Sequence, residues 1–394
     1  MEKLESFLQS LHKEQWQEVR LGEVAEINPK ETLRKHYLYK KVAMDNLEPY
    51  TKKVYSFGIE SFNGGAKFRN GDTLLARITP CLENGKTAFV DFLQDDEIAF
   101  GSTEFIVLRE KATISDKDFL YYLARSKHFR EVAIKSMTGS SGRERVQIEV
   151  LRDFTFLLPP LTIQQKIAEI LSSFDDKIDL LHRQNKTLES LALTLFRHYS
   201  TYKELDSIIG DIVALQSGYA FKSKDFQNFG KDRILKIKNI QNSIIDIINT
   251  DFINENISKI LDSKFRIFGG DILFGMTGAE IGKMGIVPKN NETLWLNQRV
   301  GVLRGKFKGA KYLAYLHLTS AFGFDYIINA ASGSAQPNIS AKDIENCPFY
   351  CFTESELQSI SSQISPFFEK IIQNSGAILT LQAMRDILLK AIFA

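Results

Sequence analysis

The stretch Phe156-Leu157-Leu158-Pro159-Pro160-Leu161-Thr162-Ile163-Gln164-Gln165-Lys166-Ile167-Ala168-Glu169-Ile170-Leu171 passes from an apolar run, through two prolines, into a helical pattern. Proline has no N–H and a fixed φ, so a helix can begin behind it but cannot continue through it unbroken. From Thr162 to Tyr199 apolar residues fall at Ile163, Ile167, Ile170, Phe174, Ile178, Leu181, Leu188, Leu191 and Leu195. Steps of mostly three and four make one helix stripe close to a heptad. Thr162 reads as the N-cap, with Gln165 three positions on at capping-box spacing. At 1.5 Å per residue this helix runs about 55 Å. A narrow stripe of that length must bury against something: either its own globular part or a second stripe of the same kind.

A second stripe exists. Adding 193 to Ile167, Leu171, Phe174, Ile178, Leu181, Leu188 and Leu195 gives Ile360, Ile364, Phe367, Ile371, Asn374, Leu381 and Leu388, with only Asn374 breaking the match. Gln165 maps to Gln358, Lys177 to Lys370, and Asp45-Asn46-Leu47 to Lys238-Asn239-Ile240. Small insertions align the rest in order: Leu21-Gly22-Glu23-Val24 with Ile209-Gly210-Asp211-Ile212, Gly71-Asp72 with Gly270-Asp271, Gly85-Lys86 with Gly282-Lys283, Val107-Leu108-Arg109 with Val302-Leu303-Arg304, and Gly139-Ser140 with Gly333-Ser334. An ordered set of this kind marks an internal duplication. In the second copy Thr353 or Ser355 starts the long helix, and Pro366 predicts a kink or restart.

Each half therefore reads as a mixed globular part followed by a long helix. The boundaries are 1–158 (with a short N-terminal helix over Glu2 to Leu11), 159–200, 201–352 and 353–394. Within the globular parts, Thr73 to Ala76, Phe105 to Leu108, Ile272 to Phe274 and Val300 to Leu303 read as short strands cut by Gly, Asn and Pro. Lys117 to Lys135 and Lys311 to Asn329 read as helical patches. The fold class is α+β.

Composition narrows the function. Of 394 residues, 44% are hydrophobic and 25% charged, which is ordinary globular usage. The net charge of +2 is too balanced for a strongly basic nucleic-acid binder, so DNA contact has to use local basic faces. Cys81, Cys347 and Cys351 are too few for a disulfide framework, lack zinc spacing, and read as buried free thiols in a cytoplasmic protein. The N-terminus carries no signal-peptide pattern, and no apolar run reaches 18 residues. Gly85-Lys86-Thr87 resembles the end of a P-loop, but Pro80 stands where the first glycine belongs, and Gly278 to Lys283 is one residue short. Neither Asn28-Pro29-Lys30 nor Pro159-Pro160-Leu161 makes the Asn/Asp-Pro-Pro-aromatic motif of an amino-methyltransferase. His12, His36, His128, His182, His198 and His317 are scattered without ligand spacing, and His182 and His198 read as solvated positions on the long helix. The chain reads as non-catalytic and metal-free.

Polar, glycine-punctuated loops recur in both halves and hold residues able to bond base edges or phosphates. In the first half they carry Arg77, Thr79, Asn84 and Lys86; Ser102 and Thr103; and Ser140, Ser141, Arg143 and Arg145. In the second they carry Thr277 and Lys283; Gln298 and Arg299; and Ser334, Gln336 and Asn338, with Lys222 a further candidate. A solvated turn explains any one of these; the set repeated twice favours DNA.

With these features the chain resembles the specificity subunits of type I restriction-modification systems. The Leu-Pro-Pro-Leu-x-x-Gln-x-x-Ile-Ala start of the first long helix carries the resemblance, together with Gly71 to Leu74 and Gly270 to Leu273. The second copy departs, with Phe352-Thr353 in place of the two prolines. The resemblance implies two target recognition domains, each reading half of a bipartite site in double-stranded DNA. It implies an antiparallel, coiled-coil-like pair of long helices that sets the gap and docks modification subunits. Gln165, Ile167, Phe174, Ile178, Leu181, Ile360, Phe367, Ile371 and Leu381 are the docking candidates. It implies that those subunits are N6-adenine methyltransferases using S-adenosylmethionine, that a restriction subunit driven by ATP and Mg joins them, and that this chain itself holds no cofactor. The Glu2 to Leu11 helix is expected to lie near the C-terminal helix. The competing readings are a degenerate or fused modification-restriction enzyme and an assembly scaffold that never touches DNA.

Overall fold

The computed structural model describes residues 11, 13–241, 243–331 and 337–393. The chain forms two compact units, Met1–Ile178 with Leu381–Ala394, and Asp179–Thr380. Apart from Leu11, the expected N-terminal helix lies outside the described residues.

Unit 1 is built on a four-stranded antiparallel sheet in the order Ala25–Ile27, Phe105–Glu110, Thr73–Ala76, Thr87–Phe89. Thr73–Ala76 is buried on both faces, which is why its sequence is a short continuous run rather than an alternating one. A second sheet runs Gly58–Ser61, Leu38–Val42, Ala99–Gly101, Ala66–Phe68, with its middle pair parallel. Unit 2 repeats both. Val213–Ser217, Val300–Gly305, Ile272–Gly275 and Met284–Ile286 follow in the same order and are extended by Ile244–Ile245 and Ile240–Gln241. Asp251–Ile253, Asp232–Leu235, Thr293–Leu296 and Arg266–Ile267 reproduce the second sheet, again with a parallel middle pair.

Each expected helical patch is two helices. In unit 1 they are α1 (Lys117–Arg125) and α2 (Lys127–Lys135), separated by Ser126, whose Oγ caps α2 by accepting from the Phe129 N–H at 3.3 Å. The long helix α3 spans Leu161–Ser200. In unit 2, α4 (Ala310–Leu318) and α5 (Ala321–Ala330) part at Thr319-Ser320, where Ser320 accepts from the Gly323 N–H at 3.2 Å. Glu354–Phe393 is the second long helix, α6. Serine ends one helix and starts the next because its hydroxyl satisfies the amides that a new helix leaves open.

The helix starts differ from the sequence expectation. Thr162 lies inside α3, and the cap is the Pro160 carbonyl, which accepts from the N–H groups of Ile163 (2.8 Å) and Gln164 (3.0 Å). The fastening glutamine is Gln164 rather than Gln165. It is fully buried, donates to the carbonyls of Ile114 and Pro159, and accepts from the Asp116 N–H. Thr353 does cap α6: its hydroxyl accepts from the Glu356 N–H while the Glu356 carboxylate accepts from the Thr353 N–H at 2.9 Å. Pro366 lies within α6 without dividing it. Pro366 and Ser362 are both exposed, so the carbonyl that proline leaves without a donor can meet water.

In unit 1 the first turns of α3 (Ile167, Ala168, Leu171) pack with the end of α6 (Leu388, Leu389, Ile392), and with Leu11, Trp16, Tyr121 and Tyr122. In unit 2 Ala192 and Phe196 pack with Ile360, Ile364, Phe368 and Ile371. There Asn185 meets Asn374, Tyr199 meets Gln363 and Lys203 meets Glu356, so the two helices run antiparallel. Asn374, the one mismatch in the repeated stripe, is buried and donates to Asn185 Oδ1 at 3.0 Å.

The repeated Gly-Asp and Val-Leu-Arg motifs meet in the fold. Gly71 and Gly270 take φ of +90° and +88°, a left-handed turn that glycine adopts without strain. Each donates its N–H at 2.8 Å, to Val90 O and Val287 O respectively. Asp72 then receives Arg109 through two bonds of 2.7 Å, and Asp271 receives Arg304 at 3.1 Å. Donating to the Asp72 carboxylate holds the Arg109 guanidinium more firmly protonated than usual. The motif that carries the repeat is thus a structural clamp between strands.

The three cysteines are free. Cys347 is buried, with its thiol pushed up to about 12 by desolvation, and Cys81 is half-buried. Cys351 is exposed, against the expectation that all three are buried: it lies two residues past strand Pro348–Phe349, where among the described residues only its backbone is engaged, through an N–H bond to Glu204 O. Among the described residues no helix is long and apolar enough to cross a membrane, and no group of His, Cys, Asp and Glu could hold a metal ion.

Candidate nucleic-acid interface

In unit 1 the three candidate loops converge. Arg77 N–H donates to Glu104 O (2.9 Å), Val146 N–H to Arg77 O (2.9 Å) and Thr79 N–H to Glu144 O (3.1 Å). In unit 2 Met276 N–H donates to Arg299 O (3.1 Å), Ile339 N–H to Met276 O (3.1 Å) and Gly278 N–H to Pro337 O (2.9 Å). The isolated bridge between Ile78 and Arg145 likewise recurs between Thr277 and Asn338. The same backbone frame therefore joins the same three loops in each unit. It equates Arg77 with Met276, Glu104 with Arg299, and Arg145 with Asn338.

The side chains on that frame differ. Arg145 lies side-on against Glu104, with Nη2 at 2.7 Å and Nε at 3.0 Å, and Arg77 Nε stands 3.9 Å from the same carboxylate. Hydrogen bonding and charge from Arg145 lower the Glu104 carboxyl pKa, so it is ionised at neutral pH. In unit 2 Met276 is buried, while Arg299 and Asn338 are exposed and make no side-chain bond to any described residue.

Of the other candidates in unit 1, Asn84, Thr103, Ser140, Ser141 and Arg143 are exposed and open to a ligand. Lys86 is tied down, donating to Met44 O at 2.9 Å. Thr79 faces the Met137 sulfur, and the Ser102 hydroxyl accepts from the Glu104 N–H. In unit 2 Lys222 and Gln298 are exposed, Thr277 is half-buried, and Lys283 pairs with Glu280. Ser334 and Gln336 lie outside the described residues.

Two contributors are not among the sequence candidates. Glu104 follows the Gly101-Ser102-Thr103 turn directly, and nothing local to that turn shows that its carboxylate meets Arg145, 41 residues away. Arg130 fastens the first loop from α2, donating to the carbonyls of Leu82 (3.0 Å) and Glu83 (3.1 Å) while lying over the Tyr50 ring. Its position inside a helical patch hid it.

The helix candidates need one correction. Ile167, Ile178, Leu181, Ile360 and Ile371 are buried within the chain, and Phe174, Phe367 and Leu381 are half-buried; only Gln165 is exposed. An apolar stripe spent on its own core offers little free surface, whereas Gln165, Leu180 and Leu191 on the first long helix are exposed.

Comparison with known proteins agrees with this duplicated architecture. The type I restriction modification DNA specificity domain matches twice, over residues 13–190 and 205–381. The chain is 28% identical over 298 residues to the type I restriction enzyme MjaIX specificity subunit of Methanocaldococcus jannaschii, a match covering 69% of this chain and 67% of that one. It is 30% identical to the MjaVIII specificity subunit of the same organism, over 56% of each chain, so the match spans little more than half of that relative. The crystal structure of the S subunit of a type I restriction-modification system from M. genitalium shares the fold, with a TM-score of 0.57 and 16% identity over 96% of each chain. With the specificity domain present twice and filling most of its length, the chain belongs to the type I restriction-modification DNA specificity family.

Proposed function

We propose that this chain is the non-catalytic DNA-reading subunit of a type I restriction-modification complex, and that each unit presents its loop cluster to one half of a bipartite double-stranded target. The observation that carries this reading is the loop frame, repeated bond for bond with different side chains. A fixed frame with variable donors suits a task in which the geometry of approach stays constant and the bases differ. Symmetric dimers gain two half-sites from two chains; a duplicated chain gains two unlike half-sites from one.

The long helices α3 and α6 set the distance between half-sites. Their outward faces hold N6-adenine methyltransferase subunits, which bring S-adenosylmethionine, and a restriction subunit using ATP and Mg completes the assembly. Arg77, Arg143 and Arg145, offset by Glu104, supply the basic character of the first loop cluster.

Methylation sequencing of DNA modified by the assembled complex tests this. The expected result is one bipartite motif with a fixed gap. Exchange of residues 19–156 for those of a relative should change one half-site alone. Methyl transfer by the purified chain without partners, or methylation without a bipartite motif, would overturn the proposal.

A further inference from the structure

The equivalence of Glu104 with Arg299 and of Arg145 with Asn338 places opposite chemistries at one site of the repeated frame. Arg77, Glu104 and Arg145 together carry one net positive charge; Met276, Arg299 and Asn338 also carry one. Overall attraction for DNA is therefore matched at this site, and what differs is which hydrogen-bonding edges are offered and how firmly they are held.

In unit 1 the Glu104 carboxylate occupies the Nε and Nη2 side of the Arg145 guanidinium. The edge formed by Nη1 and the second Nη2 hydrogen is left over, with only a long 3.5 Å approach of Nη1 to Arg143 O. That edge carries two parallel donors, the complement of guanine O6 and N7. Arginine has a long side chain with much rotamer freedom, and clamping one side before DNA arrives removes part of the ordering cost. The Arg145 side chain is 43% exposed while Glu104 is 23% exposed, so the arginine stands in front and the carboxylate behind. Arg77 lies behind as well, with its Nε buried and without a hydrogen-bond partner among the described residues, and its charge, 3.9 Å from Glu104, offsets the carboxylate.

We infer that Glu104 is a positioning residue that fixes Arg145 as a guanine reader in one half-site, and that the pair Arg299/Asn338 at the equivalent positions gives the other unit a different base preference. The inference rests on the DNA-reading function proposed above. Lowering of the Glu104 carboxyl pKa by Arg145 keeps the clamp ionised throughout the neutral range.

The test uses the full chain assembled with its modification subunits and a randomised-target selection, with each variant's thermal melting recorded alongside. In the wild type, one half-site contains a guanine whose replacement weakens binding. Glu104→Gln keeps the shape and removes the charge; discrimination at that guanine should fall about tenfold, while the other half-site is unchanged. Arg145→Lys, which cannot present two coplanar donors, should lose the same base and no other. Glu104→Asp should restore part of the discrimination. In the double variant Glu104→Gln with Arg145→Lys, discrimination should be no lower than with Arg145→Lys alone. Unchanged base preferences in Glu104→Gln, or an equal loss at every base of both half-sites, would overturn the inference and leave the DNA-reading function standing. A wild-type complex with no sequence preference would overturn both.

Discussion

At one pair of equivalent positions the two units bury opposite chemistries. In unit 1 Asp175 on α3 meets Arg385 on α6 at 2.5 Å, with Arg125 at 3.8 Å and the Tyr122 hydroxyl at 2.7 Å, all within the interior. A shift of 193 turns Asp175 into Phe368 and Ala192 into Arg385. In unit 2 Phe368 stacks on Tyr312 at 4.5 Å, and Ala192 packs in the same apolar cluster. The same helix frame thus tolerates an ionic core in one copy and a hydrocarbon core in the other. Hydrocarbon of similar volume generally serves at least as well for stability. What the charges add is intolerance of misalignment, since an acid and two guanidinium groups out of water are costly when parted. The loops show the same division between a conserved frame and divergent side chains.

The largest effect should come from breaking the ionic core. Asp175→Ala takes from Arg385 and Arg125, each with a side chain only 4% exposed, the buried carboxylate they share, leaving Arg385 with the exposed Asp386 alone. A loss of about 3–5 kcal/mol is expected, seen as faster hydrogen exchange in peptides of unit 1 and not of unit 2. A loss below about 1 kcal/mol would mean that the pair is bystander chemistry.

Next is a pH effect confined to unit 2. His317 lies among Phe196, Phe322, Phe349 and Tyr350 with Nε2 at 2.8 Å from Pro348 O, and desolvation depresses its pKa from 6.5 to about 4. Below pH 6.5 the unfolded chain takes up a proton that the folded unit refuses until about pH 4. Stability should therefore fall across that window as pH drops, by on the order of 3 kcal/mol. His317→Gln should flatten the dependence in hydrogen exchange of unit 2; an equal slope in wild type and variant would exclude His317 as its source.

A smaller change sharpens the apolar side of the comparison. Phe368→Leu keeps hydrocarbon but loses the stack on Tyr312, at a cost of about 1–2 kcal/mol by denaturant titration. A cost as large as that of Asp175→Ala would show that unit 2 depends on shape as strictly as unit 1 depends on charge. The smallest effect is expected at the start of α6, where Thr353→Ala removes one half of the capping box and costs about 1 kcal/mol. Fraying should then be limited to the first turn, as read from exchange of the amides near Glu356.

The long helices, the duplication and the short strands were legible because each is a local pattern: a period of three to four, a fixed shift of 193, or a brief apolar run between turn residues. The candidate loop sets were legible as polar clusters. Their convergence was not, because Arg77, Glu104 and Arg145 are far apart in the chain and only sheet pairing brings them together. For the same reason Lys86, an attractive phosphate ligand by composition, turns out to be fastened to Met44 O. Periodicity also marks apolar stripe positions without saying what they cover, so Ile167 and Ile360 suited a docking surface equally well before their burial was known.

Sequence alone thus determined that the chain is a tandem of one α+β unit with a long helix in each copy, because helix periodicity and repetition are written residue by residue; the structure gives each helix 40 residues and carries the second through Pro366 unbroken. Only the tertiary structure decided that the repeated Gly-Asp and Arg form a clamp, that Gln164 rather than Gln165 fastens α3, and that a carboxylate sits behind Arg145. Those facts depend on which side chains the folded sheets bring within 3 Å of each other, and that distance is set by the packing of the whole unit rather than by any stretch of the chain.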